Sequence, residues 1–134
     1  MSRKKSREVV FKMLFPLGFA QRVNEEVSEL LSLCTDDEQV DGVELSYITN
    51  LYNQVTGHIE VIDKLISELA VGFTFERIYK TDLAVLRMSI AEIKYTDTEI
   101  SVCINEAVDI AKKYGAEKSG GFVNGILAKV KRGE

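Results

Sequence analysis

One histidine, two cysteines and a single proline occur in 134 residues. With His58 as the sole imidazole, a histidine-built metal site or a Ser-His-Asp triad has no raw material. Cys34 and Cys103 lie far apart and neither has a CxxC partner, so they read as small buried hydrophobes in a reducing compartment. No apolar run reaches the ~18 residues that a membrane-spanning helix requires. The start, MSRKKSR, leads into a pattern broken by Glu8 and Lys12, whereas a secretory signal would follow its cations with an uncharged apolar core. A cytoplasmic protein without a membrane partner is expected.

What remains is an ordinary globular balance, 46% hydrophobic and 28% charged, in a length that suits one domain with a sizeable core. The formal net charge of −4 conceals an uneven distribution. Residues 1–12 carry Arg3, Lys4, Lys5, Arg7 and Lys12 against Glu8 alone, and the other end is basic again at Lys129, Lys131 and Arg132. Residues 24–68 hold eleven acids and one base, Lys64. Such a chain can hold a polyanion at its ends while its middle repels one; a merely solubilising N-terminus is the alternative reading.

Apolar residues recur at helical spacing and nowhere alternate over a useful length, so the fold is expected to be all-α. Val9, Val10, Met13, Leu14 and Leu17 form one stripe, and Phe11, Phe15 and Phe19 a second. Two apolar stripes on one helix suit either deep packing or a surface offered to a partner. Pro16 predicts a kink or restart, because it lacks an N–H and crowds the preceding turn. Asn24, Thr81, Ser101 and Ser119 are expected N-caps, Thr74 opens a short turn, and Gly57, Gly72 and Gly115 end helices. Leu83, Leu86, Ile90 and Ile93 mark the inner face of one helix. Short connections then predict a compact bundle of about seven helices in one domain, in two three-helix-type halves near 1–72 and 73–134.

A search for catalytic chemistry fails. Gly120-Gly121 lacks the Lys-Ser or Lys-Thr of a phosphate loop, and Asp36, Asp37, Glu38 and Asp41 do not fit calcium-loop spacing. Nucleophile, base and oxyanion donor are nowhere assembled, so no enzyme activity, cofactor or metal is expected. Nucleic-acid binding has more support. Phe122 sits beside Lys118 and Ser119 at an expected helix start, where backbone N–H groups attract phosphate and an exposed ring can stack on an unpaired base. That combination suits single-stranded RNA better than duplex DNA. Phe122 could equally belong to the core.

The run INEAVDIAKKYGAEKSGGFVNGIL at 104–127, with LAVLRMSIAEI at 83–93 and the basic start SRKKSRE, resembles the transcription antitermination factor NusB family. The likeness spans nearly the whole chain. It implies an all-helical, non-enzymatic factor that binds the boxA RNA of nascent ribosomal transcripts with NusE, a small-subunit ribosomal protein, within an RNA polymerase antitermination complex. It further implies RNA contacts from Arg3, Lys4, Lys5 and Arg7 at the N-terminus and from Lys118, Ser119 and Phe122 at the later turn. Phe15 and Asp82 would meet the ribosomal protein. Lys118 stands where the family often has an acid, which should favour RNA. A homodimer is left open. The competing expectations are a protein-only helical adaptor and an isolated NusB-like domain of an RNA methyltransferase.

Overall fold

The computed structural model describes residues 1–19, 27–35 and 40–132. Among them are seven α-helices and no strand: α1 (Arg3–Leu14), α2 (Val27–Cys34), α3 (Gly42–Gly57), α4 (Ile59–Leu69), α5 (Lys80–Tyr95), α6 (Ile100–Tyr114) and α7 (Ser119–Leu127). The all-α expectation holds. Asn24 and the acidic residues 36–38 lie outside the described residues.

Helix α1 starts where the Ser2 hydroxyl accepts from the Lys5 amide. It stops at Leu14 because Pro16 cannot donate to the α ladder, and the chain tightens into a 3-10 turn, Phe15–Phe19. The cap of α3 is Asp41, whose carboxylate accepts from the Glu44 amide. Asp41 therefore does local backbone work at the start of α3. His58 separates α3 from α4; its carbonyl accepts from the Ile62 amide, its side chain makes no cap bond to α4, and its ring stacks on Tyr95 at 4.1 Å.

The expected caps further on are displaced. Helix α5 begins one residue before Thr81, α6 one before Ser101, and α7 at Ser119 itself, with Tyr79, Glu99 and Lys118 in the cap positions and no side-chain cap bond at any of them. The Ser119 hydroxyl instead accepts from the Ala116 amide at 2.9 Å, bracing the turn that precedes α7. Gly115 is extended (φ −96°, ψ −165°), not left-handed. Its requirement is space: an added Cβ would stand 2.5 Å from Ser119 Oγ and 2.6 Å from the Ala111 carbonyl oxygen.

Helix α5 is the axis of the molecule. Every residue from Asp82 to Ile93 is buried, and α1, α3, α4, α6, α7 and the 3-10 turn all pack on it. The expected inner face was too narrow, since Val85, Met88 and Ala91 are covered as well. Each fully buried Leu, Ile or Met here contributes roughly 1.5–3 kcal/mol to folding. Four polar residues of α5, Asp82, Arg87, Ser89 and Glu92, are covered too, and three of them have clear internal hydrogen bonds. Arg87 holds Asp63 of α4 through two 2.8 Å bonds, Ser89 donates to the Val85 carbonyl, and Glu92 receives an arginine described below.

Candidate RNA-binding surfaces

The N-terminal cations do not share one environment. Arg3 reaches α3, with Nε and Nη2 at 2.8 and 3.1 Å from the two Glu44 oxygens and its guanidinium 4.0 Å above the Tyr47 ring. The bond to Glu44 is the main reason the Arg3 pKa lies above its ordinary value. It likewise holds the Glu44 carboxyl below the usual range, helped by the Ser6 hydroxyl at 2.8 Å. Lys4 reaches α6, with Nζ at 3.2 Å from both Glu106 and Asp109. Lys5 is exposed.

Arg7 differs in kind. It is 4% exposed, and it donates to Glu92 from Nε at 3.0 and 3.1 Å and from Nη2 at 2.9 Å. Glu92, 1% exposed, also accepts from the Tyr47 hydroxyl at 2.5 Å. Burial works against the arginine charge, and the Glu92 bonds overcome it, leaving the Arg7 pKa raised. Burial, followed by the Glu92 charge, pushes the Tyr47 phenol far up. This node ties α1, α3 and α5 together. Arg7 therefore has neither the exposure nor a spare charge for a phosphate, which corrects the expectation that it contacts RNA.

The second surface is a cleft of about 550 Å³ between residues 72–79 and the turn from α6 to α7. Phe73 (56% exposed) and Tyr79 (64% exposed) line it with the half-buried Phe122. The Phe73 and Phe122 rings meet edge to face, 4.8 Å between centroids. Arg77 and Lys118, both exposed, supply positive charge. Phe122 is thus neither core nor free platform: one side packs inward and the remainder borders the cleft. Ser119 also lines it but is only 2% exposed, so it braces the turn and cannot present itself to a ligand as Lys118 does.

Asp82 lies in the wall of this cleft, 3% exposed. Burial raises its pKa, with an opposing hydrogen bond from Ser119, and its Oδ1 has no hydrogen-bond partner. Phe15 is elsewhere, in a hollow of about 270 Å³ with Phe11, Lys12, Thr81 and Tyr114. Tyr114, Phe11, Phe15 and Phe19 make a continuous aromatic row with centroid separations of 5.1, 6.3 and 5.2 Å. The two residues expected to meet one protein partner therefore line different hollows on either side of the start of α5. Sequence reasoning missed Arg77 and Tyr79 as site residues. Their signal was the aromatic and basic content of FTFERIY just after Gly72, outside any helical stripe.

Among the described residues no group of three or more His, Cys, Asp or Glu side chains could hold a metal ion. Burial pushes the Cys103 thiol up to about 12, which makes it unreactive. No described helix is long and apolar enough to cross a membrane.

A family model for NusB matches residues 4–132. The chain belongs to the NusB family. It is 43% identical over 131 residues to the transcription antitermination protein NusB of Agathobacter rectalis, covering 96% of this chain and 98% of that protein. The NusB protein of Ruminiclostridium cellulolyticum is 39% identical over 135 residues, covering 100% of this chain and 91% of its own length. These relatives are named for antitermination and not for a catalysed reaction. Among solved structures, T. maritima NusB superposes with a TM-score of 0.85 at 33% identity, covering 97% of this chain and 90% of that one. A crystal structure of antitermination factors NusB and NusE in complex with dsRNA contains a chain that superposes with a TM-score of 0.81 at 27% identity, covering 96% of this chain and 94% of its own.

Proposed function

We propose that this NusB-family antitermination factor binds boxA-type single-stranded RNA of nascent ribosomal transcripts, together with the small-subunit ribosomal protein NusE, as part of an RNA polymerase antitermination complex. The observation that carries the reading is the cleft in which Phe73, Tyr79 and Phe122 offer ring surface beside Arg77 and Lys118. Exposed rings next to cations serve unpaired bases, because stacking requires a base splayed from its helix. Arg3, Lys4 and Lys5 supply the phosphate contacts at the N-terminus. The aromatic row through Phe15 and Phe19 is the surface for the ribosomal protein.

Titration of labelled boxA-like RNA, single-stranded and as a duplex, at two salt concentrations and with or without the ribosomal protein tests this reading. Replacing Arg3, Lys4 and Lys5 together by Ala should weaken binding and flatten the salt dependence, by a slope of ~0.7 for each single-strand phosphate that is no longer neutralised. Phe122→Ala should cost ~1–3 kcal/mol of single-strand affinity. Affinity and slope that survive both changes would leave a protein-only adaptor as the better reading. A preference for the duplex would remove stacking from the account.

A further inference from the structure

The basic face of α1 is graded in how tightly the fold already holds its charges. Arg7 is locked against Glu92, with side chains 5% and 1% exposed. Arg3 is bound through both Glu44 oxygens, and Glu44 is itself buried and held by Ser6. The Lys4 pairs are of another kind. Its ammonium sits 3.2 Å from one oxygen of Glu106 and 3.2 Å from one of Asp109, while the three side chains keep 58%, 23% and 57% of their surface in water. These two carboxylates can occupy two of its three N–H donors. Its hydrogen bonds to Asp109 first and Glu106 second hold the Lys4 pKa above its ordinary value.

An exposed pair of this sort is weak and exchangeable, whereas a buried one is not. A phosphate arriving at Lys4 must take the ammonium from two acids, and both remain nearby as repelling charges. We infer that Glu106 and Asp109 are an internal competitor for the RNA backbone, so that binding at Lys4 is an ion-pair exchange and the two acids set the affinity of the N-terminal contact. This rests on the proposal above that the N-terminal cations meet RNA. Glu106 belongs to the INEA run of α6, and Lys118 of the aromatic cleft follows four residues after the end of the same helix. One helix therefore holds the restraint on the first surface and leads directly to the second.

The test is a double-mutant cycle on single-stranded boxA-like RNA. The Glu106→Gln and Asp109→Asn double variant should bind roughly two- to fivefold more tightly, the scale of an exposed pair. The gain should shrink as salt rises. In a Lys4→Ala background the same two substitutions should give no gain, because the cation they restrain is gone. A gain that persists without Lys4 would mean only long-range repulsion of a polyanion by two acids, and would overturn the exchange. Absence of any gain in a protein whose Phe122→Ala variant still loses affinity would overturn the exchange and leave the RNA reading standing. Failure of every variant, wild type included, to bind single-stranded RNA would overturn both. Melting curves of all four proteins should nearly coincide, since Lys4 and Asp109 are more than half exposed; if Glu106→Gln lowers the midpoint, Asp109→Asn alone carries the cycle.

Discussion

Replacing Arg7 by Ala distinguishes most sharply between a cation that contacts RNA and one that holds the fold together. The substitution removes three bonds of 2.9–3.1 Å from Glu92 and leaves that carboxylate, 1% exposed, to the Tyr47 hydroxyl and the weakly donating Cys103 thiol. Removing one partner of a fully buried pair costs about 3–5 kcal/mol, because the surviving charge stays desolvated. Against a total stability of about 5–15 kcal/mol, that is a large fraction. For a domain of this size it corresponds to a fall in Tm of roughly 10–20 °C. Thermal and urea melts followed by circular dichroism give the loss directly. RNA titration well below the variant's midpoint should show unchanged affinity. Pairing Arg7→Met with Glu92→Leu should restore much of the lost stability, since an apolar pair of similar volume is tolerated where a lone charge is not. An Arg7→Ala protein that melted like wild type yet lost RNA affinity would refute the structural role and return Arg7 to the phosphate-contacting set.

Two further predictions concern Asp82 in the wall of the aromatic cleft and the glycines beside it. Burial keeps the Asp82 carboxyl protonated to a higher pH in the folded protein than in the unfolded chain, so its contribution to stability falls as pH rises through the ordinary carboxylate range towards the raised value. Asp82→Asn should therefore stabilise the protein at neutral pH and match wild type in acid; melts across ~pH 4–8 that show the variant weaker at neutrality would contradict this. Gly115→Ala forces a Cβ to 2.5 Å from Ser119 Oγ and should cost about 1–3 kcal/mol in chemical denaturation, whereas Gly121→Ala, whose Cβ meets nothing within 4 Å, should be neutral or mildly stabilising. Equal effects at the two glycines would show that the turn relaxes freely.

The helices were legible because each had a periodic apolar face and most had short connections. The caps were less so. A hydroxyl near a helix start permits side-chain capping but does not say which residue turns first, and Ser119 used its oxygen on Ala116. The full burial of α5 was hidden by its own composition. Asp82, Arg87, Ser89 and Glu92 look like a solvent face in sequence; Arg87 and Glu92 are inside because partners on other helices meet them, and Ser89 because its hydroxyl bonds back to the Val85 carbonyl of its own helix. Arg7 misled for the same reason: Glu92 lies 85 positions away, and nothing local distinguishes a paired arginine from a free one. The cleft was half legible. Lys118 and Phe122 stood out at a helix start, but Phe73, Arg77 and Tyr79 join them only through the packing of residues 72–79 against the α6–α7 turn.

The enclosure of α5 also shapes how such a protein can diverge. Twelve consecutive positions, Asp82 to Ile93, each touch the interior, so a change at any of them must be answered by a change on another helix. That stretch is a poor place for novelty. Adaptation to a different RNA or a different protein partner has to be written in the outer helices and in residues 73–77, Tyr79 and residues 116–118, where exposed side chains can be exchanged without reopening the core.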